Sequence, residues 1–495
     1  MSADPFQIPV FLFEIVYFAS MVFLSSLGLH RYRLCGLYLK ARGEKPSECA
    51  PPPELPSVTV QLPVYNEQYV VERLIEAACS LDYPHHLLEI QVLDDSTDRT
   101  SEIAAETVRR KKAEGLSISH IRRETRRGYK AGALKDAAAK ANGEITALFD
   151  ADFVPPRDFL LRAVGSFSDP SVGIAQARWG HINLRQSLLT RLQSIFLDGH
   201  FLIEQTGRAA AGVFLNFNGT ATLIRASCLS SCGGWQEDTV AEDLDLSCRA
   251  QLGGWKIKYL RDLVCPSELP PDVQAFKSQQ SRWATGGIQN AFKFLGEIIR
   301  RKDLSAGFKI EAAFHMLGNL SSPFFLLAVV SAVVISVKGG TVPAPVYSVF
   351  GAAAFLASGG IFAFYTLCAF DSRGGENAIG RLLAVPLTVV LWAGMSVSNT
   401  RAVLRAVAGK RGEFVRTPKT ASTGSLFKKA GVYGSRFDFS VLVEFAFSVA
   451  LAAIALRPGE KDAFLQTLLL VFSAAFFYVS TLSVKQHLQR FAGRS

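Results

Sequence analysis

Asp150-Ala151-Asp152 closes a short apolar run formed by Ile145, Ala147, Leu148 and Phe149. Two carboxylates one residue apart at a strand end can share a divalent cation, and a cation held there suits the oxygens of a diphosphate. Further along lies Gln279-Gln280-Ser281-Arg282-Trp283. A guanidinium offers a phosphate a fork of donors, and an indole face stacks on the apolar face of a sugar ring. Each group alone has a plainer reading. An Arg-Trp pair near a membrane is an interfacial anchor. Glu242, Asp243 and Asp245 make an ordinary solvated helix start, and Asp94-Asp95-Ser96-Thr97-Asp98 makes an N-capping turn.

The elements around these residues gather them. Val58 to Leu62 is a short β-rich run ending at Pro63, and Glu67 to Cys79 has helical spacing through Val70, Val71, Leu74, Ile75 and Ala78. Leu88 to Leu93 reads as a second strand, followed by a helix from Ser101 to Lys112 with Ser101 as its cap. Leu116 to Ile121 and Ile145 to Phe149 repeat the pattern. Strand alternating with helix predicts an α/β domain with a mostly parallel sheet, whose ligands lie beyond the carboxyl ends of the strands. Asp94 and Asp95, Asp150 and Asp152, and the Pro63-Val64-Tyr65-Asn66-Glu67 turn all fall at such ends.

The 495 residues are 49% hydrophobic and 19% charged, too apolar for a soluble enzyme and too charged for a bare membrane bundle. The apolar excess gathers at Ile8 to Leu29 and beyond about residue 312, leaving a mixed segment from Ala41 to Ser305. The formal charge is +10. Its basic residues flank the apolar runs, so the charge reports membrane orientation and disfavours a nucleic-acid partner. The eight cysteines include no Cys-x-x-Cys pair, which suggests reduced thiols in a cytosolic domain.

Ile8 to Leu29 would cover about 33 Å as a helix, enough to cross a bilayer. His30-Arg31-Tyr32-Arg33 follows it, so the central domain is expected in the cytosol. Glu14 within the run is expected to face other helices or the interface. Further candidate spans are Ala313 to Val337, Val346 to Phe370, Leu382 to Ser398, Ser440 to Leu456 and Phe464 to Leu482. If all crossed, the strongly basic segment Arg401 to Arg436 would lie outside, so Leu382 to Ser398, which contains Pro386, is read as interfacial or re-entrant. Gln274 to Arg301 also reads as interfacial. Glu311, His315 and Asn319 recur every four residues on one face, either the polar end of a span or a hydrated channel wall.

In sequence the chain resembles inverting family 2 glycosyltransferases of the cellulose synthase-like group, and especially those that build glucomannan and xyloglucan backbones. The resemblance rests on Gln61 to Glu67, Gln91 to Asp98, Gly128 to Leu134, Phe149 to Phe153, Gln176-Ala177-Arg178-Trp179, Phe217-Asn218-Gly219-Thr220, Glu242 to Leu246 and Gln279 to Trp283, in family order over roughly residues 55 to 300. It implies a nucleotide-diphospho-sugar transferase fold set between transmembrane and interfacial helices. It also implies that Asp150 and Asp152 hold Mg²⁺ or Mn²⁺ and that Asp243 is the base. Tyr65, Glu67, Asp95, Lys130, Asp150, Gln279 and Arg282 would bind the donor, and Trp283, Phe217, Asn218 and Glu242 the acceptor. Ala241 departs from the Thr that many relatives carry, which should tune the loop without removing the base. Phe414-Val415-Arg416-Thr417-Pro418-Lys419 resembles the gating loop of processive synthases, with Phe414, Thr417 and Lys419 in place and Arg416 where Val is usual.

The resulting expectation is a processive membrane β-glycosyltransferase. It would elongate a β-1,4-type glucan or mannan from UDP-glucose or GDP-mannose and thread the growing glycan across the lipid bilayer, with accessory subunits allowed. A glycolipid synthase that adds one sugar to a lipid is the rival. The expected organisation is a transmembrane helix and basic flank (1–40), a cytosolic transferase domain (41–272), interfacial helices (273–309) and a membrane region (310–495) with an interfacial helix at 380–400 and a gating-like loop at 410–436. The compact chain suggests a bacterial inner membrane.

Overall fold

A computed structural model describes residues 9–43, 50–371, 378–409, 438–457 and 463–492. The β-rich runs form seven strands: β1 (Val58–Val64), β2 (Leu88–Asp94), β3 (Ile118–Arg122), β4 (Ile145–Leu148), β5 (Val172–His181), β6 (Thr222–Arg225) and β7 (Lys256–Ser267). They make one sheet in the order β3-β2-β1-β4-β6-β5-β7. Only β6 runs against its neighbours β4 and β5; the other pairings are parallel. The α/β, mostly parallel expectation therefore holds.

Strand β1 explains why the sheet is two-sided. Val58, Val60, Leu62 and Val64 alternate into an apolar core with Val71, Leu74, Ile75 and Ala78 of the following helix. Its other face carries Thr59 and Gln61, which bond in register to Glu89 (2.8 Å) and Gln91 (3.0 Å) of β2. After β1 the chain winds outward through β2 and β3, then returns to the opposite side of β1 as β4. The strand order thus reverses between β1 and β4, and such switch points open a crevice at the strand ends.

Ser101 does not cap its helix. The helix begins at Thr100, Asp98 accepts the Thr100 N–H (3.0 Å), and the Ser101 hydroxyl turns back to Asp94 (2.5 Å). A short side chain in the first turn prefers a buried carboxylate within reach to the helix backbone.

Among the described residues four helices are long and apolar enough to cross a membrane: Val10–Ala41, Ala306–Lys338, Ala344–Asp371 and Gln466–Leu488. The first runs twelve residues past Leu29, because Leu34, Tyr38 and Ala41 find buried contacts and no proline interrupts it. Leu382 to Ser398 is broken near Met395 into two helices, Ala378–Gly394 and Ser396–Val407, inclined by 47°. Ser440–Leu456 has 17 residues, about 26 Å of helix and slightly less than a bilayer core.

Glu14 is buried, and its carboxylate accepts from the Thr341 N–H (2.7 Å), the Val342 N–H (3.0 Å) and the Tyr347 hydroxyl (2.5 Å). Glu311 is no channel wall. It is fully buried and bound by His30 (3.0 Å), Arg33 (2.8 Å) and Arg208 (3.1 Å), tying the first helix to the domain. Removing one member of a buried ionic cluster strands the others, so Glu311→Ala should destabilise the protein by about 3–5 kcal/mol. A thermal melt in detergent beside wild type checks this; an unchanged midpoint would contradict it.

Candidate active site

The crevice at the switch point has a cavity volume of about 200 Å³ and opens to solvent. Six stretches of chain meet there. Tyr65 and Glu67 follow β1, Asp95 follows β2, and Asp150 and Asp152 follow β4. Asn218 and Gly219 precede β6, and Glu242 and Asp243 begin the Glu242–Leu252 helix. Gln279, Arg282 and Trp283 come from the Val273–Asn290 helix.

Lys130 joins these stretches. Its ammonium lies 2.6 Å from Asp150, 3.5 Å from Glu242 and 2.9 Å from the Gly219 carbonyl it donates to. Burial disfavours its charge, but Asp150 and Glu242 outweigh that and hold it protonated. Asp243 moves the other way. Burial, then the like charge of Glu242, pushes its carboxyl well above the usual range despite a hydrogen bond from the Leu244 N–H (2.8 Å). A carboxylate that holds a proton more strongly is a better general base at neutral pH. Arg282 also lines the crevice, where burial lowers its guanidinium against the pull of Asp150, Glu242, Asp152 and Glu67. The Gln279 side-chain oxygen is buried without a hydrogen-bond partner and is available to a ligand.

Behind the first carboxylates, Asp94 is structural. Burial would raise its carboxyl, yet bonds from His120 (2.9 Å), Ser101 and the Ser96 N–H (2.8 Å) hold it at about 2. Asp95 reaches the crevice paired with Arg123 at 2.9 and 2.5 Å.

Gly219 has φ +74°, and a Cβ there would sit 3.2 Å from an Asp243 carboxylate oxygen. Gly219→Ala is expected to cost about 1 kcal/mol in backbone strain and to lower kcat about tenfold or more by displacing the base. Initial rates beside a thermal melt separate the two effects. Equal rates would show that Asp243 tolerates the shift.

The Val273–Asn290 helix lies hard against the Asp243 loop. A Cβ on Gly286 would strike the Ala241 side chain. Gln289 accepts the Val240 N–H (2.9 Å), and Lys293 beyond the helix binds Asp238 (2.7 Å) and buried Asp245 (2.5 Å). The small Ala241 is therefore matched to Gly286, and a Thr there would press on that glycine.

The crevice gathers every expected donor and acceptor residue in the described chain except one. Phe217 is fully buried and packs edge-on to Trp235 at 6.3 Å. Its neighbour Asn218 lines the crevice, while Phe217 belongs to the core. Phe414, Thr417 and Lys419 lie outside the described residues. Arg126 and Trp179 line the crevice without having been expected there. Arg126 stacks on Tyr65 with its guanidinium 3.4 Å from the ring centre. Trp179, whose motif had no assigned role, packs on Phe153 and Phe201. Arg126 lies in the loop after β3, so the strand-end rule that found Asp95 also reaches it.

The donor set fits a divalent cation. Setting aside Asp95, which Arg123 neutralises, Glu67, Asp150, Asp152, Glu242 and Asp243 line the crevice against Arg126, Lys130 and Arg282. An anionic diphosphate entering that excess of carboxylate needs a cation between them. Among the described residues no three His, Cys, Asp or Glu side chains form a ready-made cage. Mg²⁺ ordinarily uses one or two carboxylates and completes its shell with phosphate and water.

Residues 54–286 match the family described as Glycosyltransferase like family 2. This region is a family 2 glycosyltransferase domain. Across that domain and beyond, the chain is 39% identical over 315 residues to glucomannan 4-beta-mannosyltransferase 7 of Arabidopsis thaliana, covering 60% of this chain and 56% of that protein. It is 43% identical over 252 residues to glucomannan 4-beta-mannosyltransferase 2 of the same plant, covering 50% and 47%. The chain thus spans about half the length of these curated relatives. The family 2 fold also aligns with the mannosyltransferase PcManGT from Pyrobaculum calidifontis, solved in complex with GDP-Man and Mn²⁺. That match has TM-score 0.53 and 22% identity, covering 78% of this chain and 100% of that one, and shows a shared fold.

Proposed function

We propose that the chain is a processive membrane β-glycosyltransferase that elongates a β-1,4-linked mannan or glucomannan from GDP-mannose, with UDP-glucose as the competing donor. The observation that carries this reading is one crevice holding Asp243, the Lys130–Asp150 pair and Trp283, on a helix that also packs against the membrane-side Ser396–Val407 helix. The names of the plant relatives and of PcManGT support the sugar.

In the proposed reaction Tyr65, Glu67 and Asp95 hold the nucleoside, and Arg282 and Gln279 grip the diphosphate. Asp150 and Asp152 would hold Mg²⁺ or Mn²⁺, which when bound neutralises charge on the leaving nucleoside diphosphate. Trp283 supports the acceptor ring, with Asn218 and Glu242 beside it. Asp243 takes the acceptor hydroxyl proton as that oxygen attacks the anomeric carbon. The carbon–phosphate-oxygen bond breaks on the opposite face, which inverts the configuration. Threading of the product and a cytosolic position for the domain belong to the same proposal.

The test is radiolabel incorporation from GDP-mannose and from UDP-glucose, separately, by the purified protein in nanodiscs with Mn²⁺ or Mg²⁺. High-molecular-weight product from GDP-mannose is expected. Label confined to an organic-extractable lipid would replace this reading with a glycolipid synthase.

A further inference from the structure

The back of the helix carrying Gln279, Arg282 and Trp283 is held by a buried ion pair. Lys277 lies 2.7 Å from both carboxylate oxygens of Glu444 and 3.3 Å from the Ser483 hydroxyl. The Lys277 side chain is 2% exposed and that of Glu444 0%. Glu444 belongs to the otherwise apolar Ser440–Leu456 helix and Ser483 to the final helix, whose Gln486 also accepts the Val273 N–H at 2.8 Å. At about 100° per residue, Arg282, Gln279 and Trp283 lie about 140°, 200° and 240° around the helix from Lys277. The pair therefore grips the face opposite the crevice.

Two charges buried this way cost desolvation that an apolar contact of similar volume avoids, so stability alone does not account for them. An apolar contact tolerates several rolls of a helix. An ammonium satisfied by two carboxylate oxygens and a hydroxyl tolerates one. We propose that Lys277 and Glu444 are positioning residues: their pair sets the roll of the Val273–Asn290 helix, and thereby the placement of Arg282 and Trp283, against the two C-terminal helices. The functional part of this inference rests on the transferase reading of the crevice.

The test uses the full chain in nanodiscs. The double variant K277M/E444L makes the contact apolar, Glu444→Asp keeps both charges but shortens the reach, and K277E/E444K reverses the pair. Each is measured for thermal midpoint, for kcat and donor KM, and, in a Gln279→Cys background, for the rate of maleimide labelling above that of the protein with Gln279 intact. K277M/E444L is expected to keep its midpoint, lose about tenfold in kcat with little change in donor KM, and change its labelling rate. Glu444→Asp should follow in the same direction, and the reversal should recover kcat to within about threefold.

Wild-type kcat and labelling in K277M/E444L would overturn the proposal. If that variant does not fold, Glu444→Asp decides: unchanged kcat and labelling would overturn it equally. If wild type transfers no sugar while labelling still shifts on breaking the pair, the transferase reading fails and the positioning role stands.

Discussion

Asp243→Asn should lower transfer by about 10²–10⁴-fold while leaving donor affinity within a few fold of wild type. The substitution preserves the shape beside Gly219 and Leu244 but removes the only proton acceptor assigned to the acceptor hydroxyl. The pH dependence follows from the same environment. The carboxylate is the working form, and burial together with Glu242 raises its pKa. Activity should therefore rise with pH through a range above that of an ordinary aspartate, near 4. Glu242→Gln removes the like charge, so the acid limb should move to lower pH. A wild-type rate in Asp243→Asn, or an acid limb that Glu242→Gln leaves in place, would assign the base elsewhere.

Chelation of divalent cations should suppress transfer by about 10³-fold, with recovery on adding Mn²⁺ or Mg²⁺. The crevice carries more carboxylate than cation before any donor enters, and Lys130 is already committed to Asp150 and Gly219. Without a metal the donor diphosphate meets net repulsion, so GDP affinity should fall as well. Asp152→Asn should raise the metal concentration needed for half-maximal rate. Calorimetry of GDP binding with and without the cation checks the first point, and a metal titration the second. Transfer unaffected by chelator would mean that Lys130 and Arg282 alone stabilise the leaving group.

The sequence located the crevice because strand ends are legible. Apolar runs closed by Pro63, Asp94 and Asp150 mark where β1, β2 and β4 stop, and a parallel register brings those ends to one edge. What escaped depended on side-chain direction. Phe217 and Asn218 are adjacent in the same motif, but only the fold decides which turns inward. Arg123 and Arg126 sit in a run of arginines where composition does not separate the partner of Asp95 from the residue stacked on Tyr65. The role of Glu311 stayed open for a related reason: its periodicity fixed a helix face, while the partners meeting that face come from residues 30, 33 and 208. The Ala241–Gly286 contact was invisible because small residues announce close approach only when both backbones are seen.

Glu14 gives the protein a timetable. Its carboxylate is satisfied by residues 327 to 333 positions later in the chain. At a synthesis rate of 5–20 residues per second those donors emerge roughly 15–65 s after Glu14 itself. Until then the helix holds an acidic group without its final partners, a costly arrangement for any helix in lipid. This helix is therefore secured only once the chain through Tyr347 has been made, and a nascent chain stalled before Thr341 cannot complete it.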